Sequence, residues 1–143
     1  MHLTIWTIGY GGRAPNELVE LLTKHGVETV VDVRLRPERA AMGVYVKASN
    51  PERGIQRVLS PHGIRYVSLV ELGNVFVDLG DEAWREPYRQ LLEHAGDLLV
   101  RRLETLDGPC ALLCAERDPE RCHRAELGSW LARHRGVTVE HLR

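Results

Sequence analysis

The feature that most constrains the fold is an alternation of short apolar runs, rich in β-branched residues, with segments of helical periodicity. The runs have the length and composition of buried strands. They cover residues 3–8, 29–33, 65–69, 110–115 and 137–142. Strands that alternate with helices pair in parallel through right-handed crossovers. The sequence therefore predicts an α/β fold: a three-layer αβα sandwich, Rossmann-like or flavodoxin-like, with a mostly parallel sheet of about five strands.

Four helical segments separate the runs, and local signals mark their ends. The first begins near Pro15 and ends before Gly26. Asn50 and Pro51 have the residue types of an N-cap and a first helical position, and predict the start of the second. The third keeps one apolar stripe over residues 88–106, with Gly96 as a bend or break. The fourth is predicted from 118 to about 134.

Length and composition favour one domain, residues 1–143, with its own core. Three cysteines, two of them close together near a histidine, and the lack of a secretory segment or long apolar run predict free thiols in the cytoplasm and no membrane insertion. The net charge of −1 argues against a general electrostatic attraction to nucleic acid or to an anionic membrane, and nucleic acid stays open as a partner. Arginine nevertheless greatly outnumbers lysine, which fits a local anion site or merely a GC-rich genome.

The sharpest local feature is the segment 114–124, which runs from the fourth strand into the last helix. In open α/β sheets, ligands bind outside the carboxyl ends of the strands. The segment places Cys114 and Cys122 at that end. In a first helical turn, beside Arg121, His123 and Arg124, Cys122 would have a lowered thiol pKa. The alternative is that both cysteines are small buried hydrophobic residues.

Four short motifs occur in order along the chain. They are Thr7-Ile8-Gly9, Asp32-Val33-Arg34, Glu71-Leu72-Gly73, and a C-A-E…C-H-R pattern at 114–116 and 122–124. In these motifs the chain resembles the DUF488 family over nearly its whole length. The resemblance implies an α/β fold with catalytic cysteines and arginines, and it carries no established reaction. Tyr10 and Gly11 stand where the family often has His-Ser, and Asn74 stands where a further glycine is common.

Three cysteine chemistries can be compared with the spacing. A cysteine phosphatase loop needs an arginine six residues after its nucleophile, but Arg121 follows Cys114 by seven. A four-ligand zinc site is disfavoured because Cys110 and Cys114, at opposite ends of one strand, are about 13 Å apart. Adjacent Cys122 and His123 on a helix would also point about 100° apart. Redox or sulfur-transfer chemistry needs only a reactive thiolate and a second thiol nearby.

Charged and glycine residues at the other strand ends are further candidates. Asp32 and Arg34 share a face at the end of the second strand, where they form either an ion pair or part of a site. Gly9, Gly11 and Gly12 would let backbone N–H groups approach a phosphate, although glycines also serve any tight turn.

The leading hypothesis is an enzyme that acts on an anionic small molecule or nucleotide, without a metal or cofactor. Cys122 is its nucleophile or redox thiol, Cys114 the partner thiol, Asp32 or Glu116 a proton carrier. The predicted substrate contacts are Gly9, Gly11, Gly12, Arg13, Arg34, Glu71, Arg121, His123 and Arg124. The alternatives are a non-catalytic module that binds a nucleotide or nucleic acid, and a metal-stabilised interaction domain. Homo-oligomer formation stays open.

Overall fold

A single sheet of five parallel strands organises the protein in the computed structural model, which describes residues 3–143. The strands are β1 (Thr4–Gly9), β2 (Thr29–Asp32), β3 (Arg65–Ser68), β4 (Cys110–Cys114) and β5 (Thr138–Leu142). Each agrees with its predicted run to within one residue at either end. The central strands β2 and β4 are buried along their whole length, as expected of strands covered on both faces.

The strand order is β3-β2-β4-β1-β5, and every pairing is parallel. The predicted αβα sandwich is thus confirmed. In the Rossmann order, strand one lies between strands two and four. In this protein β4 instead lies between β2 and β1, with Ala111 paired to Val30 on one side and to Trp6 on the other.

Helices cover both faces of the sheet. They are α1 (Pro15–Lys24), α2 (Gly54–Leu59), α3 (Arg85–Leu99), α4 (Arg101–Glu104) and α5 (His123–Arg135). Leu18 of α1 and Ile55 of α2 pack in the core on one face, whereas Leu92 of α3 and Leu127 of α5 pack in the core on the other. The connections that follow β1 and β2 therefore leave toward one face, and those that follow β3 and β4 leave toward the other.

The predicted start of α2 is wrong. Asn50 closes a turn, in which its Oδ1 accepts a hydrogen bond from the backbone N–H of Glu52 at 2.9 Å. The helix begins at Gly54, whose φ of +64° lies in the left-handed region. The backbone N–H of Ile55 donates to the carbonyl of Val46 at 2.9 Å, so a contact that is distant in sequence sets the start of α2.

No break occurs at Gly96, because α3 continues through this residue and ends at Leu99. Gly96 serves packing instead. A Cβ atom there would lie 2.3 Å from Cζ2 of Trp130 on α5, so only glycine lets the two helices approach this closely.

The last helix begins later than predicted. Asp118 caps a 3₁₀ turn over Pro119–Arg121, with its side chain accepting from the N–H of Glu120, and α5 starts only at His123. Asp118 and Pro119 thus start a turn of 3₁₀ helix rather than α5. Cys122 lies between the two in an extended conformation.

Within residues 3–143, no helix has both the length and the apolar character needed to cross a membrane.

Candidate functional site

A cavity of about 270 Å³ lies at the carboxyl ends of β1, β2 and β4. At this edge the connection after β4 leaves toward one face of the sheet, whereas those after β1 and β2 leave toward the other. Ligands of open α/β sheets bind in the crevice that such diverging connections leave between them. Its lining includes Cys114, Cys122, His123, Glu116, Asn74, Tyr10, Trp84 and the arginines Arg34, Arg36, Arg39 and Arg121.

Cys122 is the N-cap residue of α5 and does not lie in its first turn, contrary to the sequence prediction. Its φ of −126° and ψ of 150° are extended, and its Sγ accepts a hydrogen bond from the backbone N–H of Arg124 at 3.5 Å. The helix N-terminus still acts on the sulfur, because an N-cap side chain accepts from the same free N–H groups. The extended backbone also removes the predicted divergence of Cys122 and His123, whose Sγ and Nδ1 atoms are 3.6 Å apart.

The imidazole of His123 is oriented by the end of β2. Its Nε2 lies 2.8 Å from the carbonyl oxygen of Val33, an acceptor, so Nε2 carries the proton of this bond. Nδ1 then faces both sulfurs, at 3.6 Å from Sγ of Cys122 and 3.9 Å from Sγ of Cys114. The ring of Tyr88 packs against the imidazole at a nearly perpendicular angle, with the two ring centroids 5.3 Å apart. A nitrogen base is therefore fixed beside two thiols.

The two thiols differ in acidity. The hydrogen bond that Cys114 donates to Cys122, together with burial, raises the pKa of Cys114 well above its usual value. Burial alone would also raise the pKa of Cys122. The hydrogen bond from Cys114, the charge of Arg124 and the backbone N–H of Arg124 outweigh burial, so the pKa of Cys122 is lowered. Cys122 is accordingly the thiol that ionises first.

Arg124 is fully buried, and its guanidinium contacts the loop after β4 and does not line the cavity. Its Nη1 and Nη2 donate to the carbonyls of Glu116 at 2.6 Å and Arg117 at 3.1 Å, and its Nε donates to Oγ1 of Thr7 at 3.2 Å. The guanidinium of Arg124, which was predicted to contact an anion, is thus occupied by hydrogen bonds to the loop that follows Cys114. Its charge nevertheless acts on Cys122.

Asp32 and Arg34 form the ion pair that was one of their two predicted arrangements. Arg34 donates to the Asp32 carboxylate through Nε at 2.9 Å and Nη2 at 2.7 Å, and both side chains are buried. The backbone N–H of Arg34 and the hydroxyl of Tyr66 also donate to this carboxylate. Nη2 of Arg34 donates further to the carbonyl of Tyr45, but Nη1 is buried without a hydrogen-bond partner among residues 3–143.

Arginine side chains give the cavity a positive lining. Arg36, Arg39 and Arg121 are exposed at its rim, and Arg36 pairs with Asp78 at 3.1 Å. Glu116 is the carboxylate in the lining. The excess of guanidinium groups favours an anionic occupant.

The predicted glycine loop after β1 has a packing role. A Cβ atom on Gly9 would lie 1.8 Å from the carbonyl oxygen of Glu116, and one on Gly11 would lie 2.8 Å from that of Ala115. The N–H of Gly11 donates to Ala115 at 2.9 Å, which extends the pairing of β1 with β4. Gly9, Gly11 and Gly12 are not part of the cavity lining.

Two other predicted contacts lie away from the cavity. Arg13 is buried, and its Nε donates to the carbonyl of Gly9 at 2.8 Å. Glu71 forms a two-bond ion pair with Arg102, with both distances 2.7 Å, which lowers the pKa of Glu71. Within the Glu71-Leu72-Gly73 motif, the glycine has the clearer structural role. A Cβ atom on Gly73 would lie 2.7 Å from Cα of Leu35, which lies beside the cavity.

Sequence reasoning missed two residues, one in the cavity lining and one that joins the helices beside it. Tyr10 lines the cavity and lies under the guanidinium of Arg34, 5.3 Å from the ring centroid. The departure from the family pattern at this position was its only signal. Glu126 was missed as well. It is nearly buried and accepts hydrogen bonds from Arg85 at 2.6 Å and Arg89 at 2.7 Å, which ties α3 to the start of α5.

Comparison with known proteins supports the family resemblance. No curated protein and no solved structure matches the chain. The family model described as "Domain of unknown function DUF488" matches residues 14–131, a span that contains Asp32, Cys114, Cys122 and His123. The chain belongs to the DUF488 family.

Proposed function

We propose that the protein is an enzyme whose nucleophile is Cys122 and whose substrate is a small anion bound in the arginine-lined cavity. The observation that carries the proposal is the orientation of His123, whose Nδ1 faces both sulfurs while Nε2 is held by Val33. A base aligned with a thiol, and itself oriented by a third group, is the common arrangement of activated cysteine nucleophiles.

The first chemical step follows from this geometry. Nδ1 of His123 accepts the proton of the Cys122 thiol, and the thiolate attacks an electrophilic atom of the substrate. The bond from that atom to its leaving group breaks, and the proton on Nδ1 passes to the leaving group. The N–H of Arg124 stabilises the thiolate before attack.

A second step is available where the attacked atom is sulfur. The sulfurs of Cys114 and Cys122 lie within 4.8 Å of one another. Nδ1 of His123, free again after the first step, accepts the proton of the Cys114 thiol. The Cys114 sulfur attacks the sulfur of Cys122, an internal disulfide forms, and the bond from Cys122 to the remaining substrate sulfur breaks; this sulfur leaves and takes the proton from Nδ1. Two electrons pass from the protein to a disulfide substrate, which becomes two thiols. The raised pKa of Cys114 keeps this thiol protonated until the first step has removed the negative charge on Cys122.

The arginines support an anionic substrate. Nη1 of Arg34 is a buried donor without a partner among residues 3–143, and a buried unpaired donor is costly unless a ligand or water satisfies it. Arg39 and Arg121 at the rim would attract the anion and turn it toward the sulfurs.

Alkylation of the reduced, chelator-treated protein tests the thiol role. We expect iodoacetamide to modify Cys122 at pH 7 faster in the folded protein than in the urea-unfolded chain, with His123→Ala reducing that rate. Cys110 is the internal control, because burial raises its pKa to about 11 and its sulfur lies outside the cluster. Mass spectrometry of the peptides resolves all three sites. A folded-state rate at Cys122 no higher than the unfolded rate contradicts the proposal.

A non-catalytic anion-binding module is the second candidate function. It is favoured by the arginine lining alone, which would hold a nucleotide phosphate whatever the cysteines do. This candidate predicts anion binding together with an unreactive Cys122, so the same alkylation experiment separates the two.

A further inference from the structure

The same cluster has the geometry of a metal site. Sγ of Cys114, Sγ of Cys122 and Nδ1 of His123 all lie within 4.8 Å of one another, and all three residues are buried. With Zn–S and Zn–N bonds of about 2.3 and 2.05 Å, tetrahedral zinc places its sulfur and nitrogen ligands roughly 3.6 Å apart. The distances found are 3.6 and 3.9 Å. One ion therefore fits between the three atoms with small side-chain adjustments.

The surroundings of the ligands match those of metal sites. A metal-binding histidine usually donates its other ring N–H to a carbonyl or carboxylate, which fixes the tautomer and directs the lone pair at the ion. His123 has this arrangement, because Nε2 is bound to the carbonyl of Val33. The N–H of Arg124 likewise supports the sulfur of Cys122.

We propose that Cys114, Cys122 and His123 bind one Zn²⁺ ion, and that its fourth coordination position opens into the arginine-lined cavity. Nitrogen and sulfur ligands select zinc over magnesium or calcium. Among residues 3–143 the cluster supplies three ligands, the number found where water or an anion completes the shell. Arg34 and Arg121 line the same cavity, so an anion bound to the ion would also meet guanidinium groups.

Zinc binding would also regulate the proposed thiol chemistry. Coordination to the ion engages one lone pair of the Cys122 sulfur and makes this sulfur a weaker nucleophile toward a substrate or an alkylating reagent. Zinc occupancy therefore slows nucleophilic attack by Cys122. Release of the ion would expose the thiol.

Metal titration of the full, reduced and chelator-treated chain tests the site. We expect one Zn²⁺ per chain, and with Co²⁺ as a probe the charge-transfer absorption of thiolate ligands and the strong visible bands of tetrahedral Co²⁺. Cys122→Ser and His123→Ala should each weaken binding by more than about 100-fold, since even loss of a supporting partner costs 10- to 100-fold. Cys110→Ser is the matched control and should bind as the wild type does.

Substoichiometric binding, or wild-type affinity in His123→Ala, overturns the metal site. The Co²⁺ spectrum of the wild-type protein gives this answer even if a variant fails to fold, because octahedral cobalt without thiolate bands overturns it too. Alkylation in the same samples separates the two proposals. Fast modification of Cys122 without zinc binding refutes only the metal site, whereas zinc binding with slow modification after chelation refutes only the thiol chemistry.

Discussion

Replacement of Asp32 by asparagine should destabilise the fold strongly. The Asp32 carboxylate is fully buried and accepts hydrogen bonds from the backbone N–H and the guanidinium of Arg34 and from the hydroxyl of Tyr66. Asparagine keeps the shape of the aspartate side chain but removes its negative charge. It also replaces one accepting carboxylate oxygen with an NH₂ group, a donor that would face the donors of Arg34. The guanidinium, 6% exposed, then has no compensating carboxylate.

The expected loss is about 3–5 kcal/mol in the free energy of unfolding, the usual cost of removing one partner of a buried ion pair. Removing both charges should cost less. The double variant Asp32→Asn, Arg34→Met leaves no buried charge at this position, and we expect it to recover part of the loss, with a coupling of about 1–3 kcal/mol.

Urea denaturation of the wild type, both single variants and the double variant measures these quantities as one cycle. A loss below about 1 kcal/mol in Asp32→Asn would refute the structural role of the pair. If that variant folded normally but lost Cys122 reactivity, Asp32 would instead be the proton carrier that the sequence suggested.

Two further substitutions test how the site is held in place. Gly9→Ala should destabilise the protein by about 2 kcal/mol or more in urea denaturation, because its Cβ would overlap the backbone carbonyl of Glu116, which cannot move as a side chain does; an unchanged midpoint would contradict the close approach of the two loops. Glu126→Gln should cost about 2 kcal/mol at pH 7, because Arg85 and Arg89 lose a charged acceptor. Burial opposes ionisation of Glu126, but these arginines outweigh burial and lower its pKa from the usual value of about 4.5. The ionised carboxylate therefore stabilises the folded state fully above about pH 4.5, and this stabilisation is lost as the pH falls through the lower pKa of the folded protein. The variant should therefore show a shallower loss of stability in acid, and an unchanged acid profile would contradict the role of Glu126.

The sheet could be predicted because its signals are local. Runs such as Thr29–Asp32 contain β-branched residues, and their alternation with helical segments determines parallel pairing. The order of the strands could not be predicted in the same way. That β4 lies between β2 and β1 depends on packing between distant segments, which no local pattern records.

The local geometry of the candidate site differs from the sequence prediction in ways that have identifiable causes. The Asp118-Pro119 signal is the same for a 3₁₀ turn as for an α-helix, so the extended conformation of Cys122 could not be anticipated. Composition does not distinguish an arginine that faces a cavity from one that donates to carbonyls. Arg124 and Arg13 therefore looked like anion contacts, although backbone oxygens engage both guanidinium groups.

The central claim is that an activated Cys122 and an anion-binding cavity form one site. Parallel alkylation with iodoacetate, an anion, and iodoacetamide, its neutral analogue, tests both features in one measurement. We expect the iodoacetate-to-iodoacetamide rate ratio at Cys122 to be higher in the folded protein than in the unfolded chain, and to fall in Arg121→Gln at unchanged stability. A folded-state ratio equal to or below the unfolded ratio would contradict the account.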